Sequence, residues 1–476
     1  MSCPAHIEEA GNEAHQEGAR VRPQQRALAV AERLREPAAA GSRRRPGVVR
    51  SLRRDPIGFF ERLKREQGDV ARARFGRSDF FLVSRPDLIK RIVASHARDY
   101  VREGFAYKSW RRAPQFAPPR GLLQPSADHD VHLRARRALQ PVFRRRRVDA
   151  HWPDLLRMAE DGIAGWRDGE VVDVVTEARR LVLPLVSSVH FTQEIDLPMP
   201  ELVAKLRTVA DATVDATSWS LELRTRLLPR RIVEAADARQ DVLDALARSI
   251  ARTRRDGGTG DDDLFAVLVE IGDAEGLSDD DIVLEAFGHL LNSPDTTVSA
   301  FAWTMYLLAT NPLALACARD ELDAVAGEPS HADLPYTIAV LSESLRLYPP
   351  SWRLKRRALV EHELDGHRIR VGAHVWASPT IVHRDERWWR HADAFLPERW
   401  LGGPRPEPYT FMPFGGGNRK CLGEQLSWRT LTALLVAVLG RFDIAYAGAS
   451  PAIPAAGSTL QPLGGMPVHL RRRRTT

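Results

Sequence analysis

Apolar residues recur at helical spacing along most of the chain, and strict alternation is confined to a few short runs. Phe59, Phe60 and Leu63 put one apolar face on a helix over 57–66. The runs 70–75 and 80–83 predict a hairpin turning at Gly76, followed by a helix over 86–96. Further helices are predicted over 132–143, over 152–166 and through 181–250, with the Gly- and Asp-rich stretch 256–263 as a loop after them. Ser278, with Asp281 three residues on, predicts a capped start for a helix over 279–308. Its run 283–291 is apolar apart from Glu285 and His289, so its middle should be buried. Pro335 suits the first turn of the next helix, which must stop before Pro349 and Pro350. Short strands over 363–371 and 374–378 and an apolar helix over 426–439 complete the pattern.

Two stretches break it. Residues 107–125 are irregular and proline-rich, with Tyr107, Trp110 and Phe116 among them, which predicts a functional loop. Residues 1–46 are rich in Ala, Arg, Glu, Gln and Gly and read as a disordered extension. No repeat or linker divides the remainder. The expected fold is therefore mainly α with small β-sheets, one large helical domain over 47–470, with a basic tail at 471–476.

Composition narrows the partners. The net charge of +7 comes almost wholly from arginine and would suit nucleic acid, an anionic membrane or an acidic protein. No zinc spacing or interleaved aromatic and basic stripe accompanies it, which excludes nucleic acid. Cys3, Cys317 and Cys421 are scattered and few, which argues against a disulfide framework and for a reducing compartment. The longest apolar run, 431–439, is too short to cross a bilayer, and the N-terminus lacks a signal pattern. A cytoplasmic monomer without a transmembrane anchor is expected.

Candidate chemistry concentrates between Phe414 and Gly423. There Cys421 follows a glycine-rich cationic turn and directly precedes the last helix. A helix N-terminus beside Arg419 and Lys420 favours the thiolate, which is a nucleophile or a metal ligand. Gly415, Gly416 and Gly417 allow the backbone to approach something bulky. A flat cofactor ligated through sulfur fits, with haem as the leading candidate. Upstream, Glu343 and Arg346 share a face of an apolar helix, and Pro397-Glu398-Arg399-Trp400 lies between them and the cysteine.

These motifs resemble the cytochrome P450 family of haem-thiolate monooxygenases. The pattern F-G-x-G-x-R-x-C-x-G is matched at every fixed position, and E-x-x-R, P-E-R-W and the cysteine loop follow in the family's order. The resemblance spans nearly all of 55–470. It implies haem b, with Cys421 as axial ligand, Phe414 against the thiolate side and Gly415 in the cradling turn. It implies that His132 and Arg136, followed by Pro141 and Phe143, bind the haem propionates together with Arg356 and Arg419. Glu343, Arg346 and Arg399 would form a buried ion network that scaffolds the loop. Asp295 and Thr296 match the acid–alcohol pair that delivers protons during dioxygen activation. The stretch departs from the family at Asn292 and Ser293, where small residues are usual, and at Pro294, which should kink the helix because the Leu290 carbonyl loses its partner.

The activity so implied is insertion of oxygen from O2 into an apolar small molecule, such as a terpenoid, polyketide or fatty-acid derivative. No flavin- or iron–sulfur-binding segment is present, so electrons are expected from a separate ferredoxin-type donor, with the arginines at 144–147 bordering its docking face. Substrate contacts are expected from 107–123, from 181–228, around Leu291 and from 351–354. Arg353 is a candidate carboxylate anchor, though a surface or propionate role is the stronger expectation. A peroxide-driven enzyme or hydroperoxide isomerase would dispense with Asp295 and Thr296, so their presence argues against both. A non-catalytic haem-binding sensor is the third reading.

Overall fold

The computed structural model describes residues 51–473 apart from 53, 76–77, 103–128, 192–193, 218–228 and 257–262. The extension 1–46, the loop 107–125 and the turn at Gly76 therefore lie outside the described residues. Helix α1 (Pro56–Gln67) starts where Asp55 accepts from the Gly58 N–H, and it buries the predicted Phe59, Phe60 and Leu63. Strands β1 (Val70–Phe75) and β2 (Ser78–Val83) pair antiparallel. The helix predicted over 86–96 divides into α2 (Pro86–Lys90) and a wider π-helical turn, Arg91–Ser95, before β3 (Tyr100–Val101). Helix α3 (His129–Leu139) tightens into a 3-10 turn at Gln140–Phe143, since Pro141 has no N–H for an α-helical bond.

Helices then dominate: α4 (Arg145–Ala150), α5 (Trp152–Gly162), α6 (Val174–His190, after strand β4, Val171–Asp173), α7 (Met199–Thr217), α8 (Pro229–Asp256) and α9 (Leu264–Glu275). Helix α10 (Asp279–Thr310) carries the predicted capping box at Ser278 and Asp281 and continues through Pro294 as one helix. Phe301, Trp303 and Leu307 in its second half are fully buried, and the helix packs on α6 and, beyond α11 (Pro312–Ala324), on α12 (Pro335–Leu347) and the later α14 (Glu424–Arg441). Strands β5 (Leu354–Ala358), β6 (His362–Leu364), β7 (His367–Ile369) and β8 (His374–Ala377) come next; Asp365 and Gly366, both at positive φ, turn the predicted 363–371 strand into the β6–β7 hairpin. After the short α13 (Pro379–Val382) and the cysteine loop, α14 (Glu424–Arg441) leads into β9 (Phe442–Tyr446), the hairpin β10 (Pro454–Ala456) and β11 (Leu460–Pro462), and β12 (Pro467–Arg472).

The main sheet has the order β1-β2-β8-β5-β3, parallel only between β2 and β8. One face carries Phe81, Val83, Val375, Ala377 and Ala358; the other packs Phe80 and Trp376 on Phe60 and Trp352. A smaller sheet, β4-β12-β9, pairs Arg471 with Asp443 and Arg472 with Phe442. Two residues assigned to a basic tail at 471–476 thus belong to the last strand. Among the described residues no single helix is long and apolar enough to cross a membrane.

Candidate active site

The cysteine loop closes on itself, Cys421 N–H donating to the Phe414 carbonyl at 2.9 Å and Lys420 N–H to that of Gly417 at 3.1 Å. Its glycines are dictated by close approach. Gly415 and Gly417 sit at φ +74° and +62°, and a Cβ on Gly417 would stand 1.8 Å from the Val93 carbonyl oxygen. The π-helical turn that carries Val93 is therefore seated directly on the loop. Phe414 tilts against Trp428 of α14 with ring centroids 5.7 Å apart. Cys421 lies three residues before α14 and, with Phe143, Arg136, Arg144, Arg145 and Lys420, lines an open cleft.

The thiol itself is a correction to expectation. Although the residue is open to the cleft, desolvation by the surrounding protein pushes its pKa up, and Glu424 adds to this; the Gly423 N–H and the charges of Arg136 and Arg102 act the other way and lose. Local cations and a helix end do not suffice to ionise it. A metal ion bonded to the sulfur would, because a coordinating thiol gives up its proton outright.

Arg136 of α3 donates to the Lys420 carbonyl at 2.5 Å. Buried His132 has both ring nitrogens on the loop: Nε2 is 3.3 Å from the Asn418 carbonyl and Nδ1 is 3.0 Å from Arg419 Nη1. Nε2 therefore carries the proton and Nδ1 accepts from the guanidinium. Arg356 arrives from β5 and is buried. Burial, then the charges of Arg102 and Arg419, push it down to about 9. Arg419 is pushed down to about 10 by burial, Arg102 and Arg136. After burial, the charges these two groups feel most are other guanidiniums. Such a gathering beside a sulfur suits a group that brings its own carboxylates. Its fourth cation, Arg102, was missed from sequence; it follows β3, and only the pairing of Val101 with Arg357 brings it beside Arg356.

A flat, dianionic cofactor ligated by sulfur fits this donor set: one thiol, a cradle whose glycines admit no Cβ, and guanidiniums for its acid groups. Haem has that chemistry.

Behind the loop, Glu343 and Arg346 of α12 form a bidentate pair, both oxygens at 2.8 Å and both side chains fully buried. Glu343 also accepts from Arg399 Nε and Trp400 Nε1, each at 2.9 Å, and from the Leu396 N–H. Arg346 spends its other donors on the carbonyls of His383, Ala392 and Ala394. His383, a residue with no sequence signal, carries the network forward. Its Nε2 accepts from the Met412 N–H at 2.9 Å, two residues before Phe414, and its Nδ1 faces the Arg346 carbonyl. Burial and then the Arg346 charge push it down to about 3, so it stays neutral, as an accepting nitrogen requires.

On α10, burial raises the Asp295 pKa; the Arg179 charge opposes this and Asp211 adds to it. Thr296 Oγ1 makes only a long contact, 3.4 Å, to the Ser293 carbonyl. Asn292 and Ser293 turn back along the helix, donating at 2.7 Å to the carbonyls of Gly288 and His289. Their polar groups are engaged by their own helix, in the turn just before Pro294. Trp352, expected to line the substrate space, is instead fully buried against Phe60, its Nε1 on the Gly457 carbonyl.

The family model described as Cytochrome P450 matches residues 47–464. The chain is 30% identical over 408 residues to "Cyclooctatin synthase" of Streptomyces melanosporofaciens, covering 82% of this chain and 86% of that protein. It is 26% identical over 412 residues to "Pentalenene oxygenase" of Streptomyces avermitilis, covering 84% and 89%. The solved structure of a cytochrome P450DA heme domain superposes with a TM-score of 0.75 at 21% identity, covering 88% of this chain and 93% of that one.

Proposed function

Since this chain belongs to the cytochrome P450 family, an enzyme family of haem iron and cysteine thiolate, we propose that Cys421 would hold the haem iron through its sulfur and that the enzyme oxygenates an apolar small molecule. The observation that carries this is the accessible Cys421 sulfur at the mouth of a glycine cradle, ringed by Arg102, Arg136, Arg356 and Arg419.

Haem b, bound there, supplies the site at which dioxygen is held and reduced. The chain's residues do the rest. Arg102, Arg136, Arg356 and Arg419 would hold its carboxylates, His132 keeps Arg419 in place, and Gly415 and Phe414 would shape and cover the sulfur side. Asp295 takes up protons readily because burial favours its neutral form, and it passes them to Thr296 Oγ1, whose hydroxyl is only weakly tied to its own helix. Thr296→Ala removes the last carrier. It is expected to keep haem and substrate binding but to divert reducing equivalents to hydrogen peroxide, lowering product per electron pair by about tenfold. Coupling equal to the parent's would sink the proton-relay role.

The relatives named for cyclooctatin and pentalenene support a terpenoid substrate for this cytoplasmic enzyme. Arg136, Arg144, Arg145 and Lys420 around the Cys421 cleft support an acidic ferredoxin as electron donor. Reconstitution with an acidic ferredoxin, its reductase and isotopically heavy dioxygen tests the whole reading. One heavy atom per product is expected, at a rate that falls with added salt. Product made only with peroxide, or free of heavy oxygen, rejects it.

A further inference from the structure

Strand β5 presents cations to both of its faces. Arg356 leaves one face toward the cysteine loop. Alternation turns Lys355 to the other, where its cross-strand partner is Trp376 and its Nζ lies 5.9 Å from that ring's centroid. Arg353, one residue before the strand, lays its guanidinium 4.1 Å from the Trp352 centroid and 5.8 Å from that of Trp376. Trp376 thus carries both cations, and Trp352 carries Arg353 as well. Arg353 Nε is buried without a hydrogen-bond partner, and among the described residues neither side chain forms an ion pair or a hydrogen bond.

That arrangement is incomplete as protein structure. Both side chains are half-buried, and attraction to an indole face is a small term beside the desolvation of a charge. Burial holds Lys355 well below the ordinary lysine range, and the Arg353 and Arg102 charges push it the same way. Burial also brings Arg353 down to about 10. The cofactor's carboxylates do not call for this pair, since Arg102, Arg136, Arg356 and Arg419 already gather about the cysteine loop. Two adjacent cations with no counter-ion among the described residues form a receptor for one oxyanion, with the planar fork of Arg353 matched to a carboxylate.

We propose that Arg353 and Lys355 form a carboxylate site on the substrate side, and that the substrate is an apolar molecule carrying an acid group gripped by this pair. The proposal rests on the monooxygenase reading, in which substrate contacts were expected from 351–354; Trp352 of that stretch is withdrawn into the core, whereas Arg353 and its neighbour Lys355 remain partly exposed. It reverses the expectation that Arg353 serves the surface or the propionates.

Calorimetric titration of the haem-loaded chain with laurate and abietate, and with the methyl ester of each, tests it. At least one acid is expected to bind about tenfold or more tightly than its own ester. Lys355→Glu, which gives Arg353 a carboxylate neighbour, should abolish that preference. So should the double change Arg353→Met and Lys355→Met, which removes two unpaired cations and leaves the fold unburdened. In both, the red-shifted Soret band of the reduced carbon monoxide complex should persist. Equal affinity for acid and ester, no binding of either acid, or a preference that survives both changes overturns the proposal. Haem lost from the methionine variant also overturns it, by assigning the pair to the cofactor. A parent chain that lacks the red-shifted band defeats the monooxygenase reading instead, and does so before any ligand is added.

Discussion

Cys421→Ser is expected to leave the fold standing and remove the chemistry. The loop is closed by backbone groups, Cys421 N–H on the Phe414 carbonyl, and fitted by Gly416 and Gly417 against Val93. Neither feature involves sulfur. Stability should therefore stay within about 0.5 kcal/mol of the parent, as for a small isosteric change without a packing defect. A serine oxygen is a poorer donor to iron than a thiolate, which supplies the electron density that favours O–O cleavage. Turnover should fall by about a thousandfold or more, equivalent to roughly 4 kcal/mol of lost activation. The reduced carbon monoxide complex should lose its red-shifted Soret band. The check is paired: a urea melt for the fold, and the absorption spectrum with turnover for the site. Retention of the red-shifted band in Cys421→Ser would remove the sulfur from the iron and the central assignment with it.

The contrast between what sequence reveals and what it hides is sharp within this one loop. The glycines, the cations and the helix start are local, so their spacing is visible in the chain. Desolvation of the thiol is not local. It follows from how the folded chain surrounds the sulfur, and it opposes the ionisation that the local features suggest. The helices show the same division. Amphipathic spacing and a capping box locate α1 and the start of α10, because each depends on residues within one turn. The π-helical turn at Arg91–Ser95 has no such signal; it is a seat for Gly417 on another segment. Arg102, Lys355 and His383 were unreadable for a related reason. Strand register places the first two, and a neutral imidazole bridging Arg346 to Met412 exists only once both segments are folded. Sequence motifs named the parts that the proposal gives to the cofactor, whereas pairing and burial supplied the parts that decide their charge.

Arg346→Leu is expected to be among the most damaging single changes to the fold. Its guanidinium is fully buried, paired with Glu343 and bonded to three carbonyls that anchor the segment running from His383 to Ala394. Leucine fills part of the volume but leaves Glu343 with Arg399, Trp400 and the Leu396 N–H as its remaining partners. Breaking a buried pair from one side costs about 3–5 kcal/mol, set against a total stability of roughly 5–15 kcal/mol. His383 would lose the bond to its carbonyl that fixes its place, and with it the grip on the Met412 N–H. The loop should then loosen even in molecules that remain folded. Haem retention should fall along with the urea midpoint, and Arg346→Lys should rescue neither, because an ammonium cannot reproduce the planar fork. The comparison is Arg157→Leu, which breaks an exposed pair with Asp154, 63% and 61% accessible. That change should cost no more than about 0.5 kcal/mol, since such pairs are solvated and screened. A urea midpoint for Arg346→Leu as close to the parent's as that of Arg157→Leu would mean that the buried network neither stabilises the domain nor positions the cysteine loop.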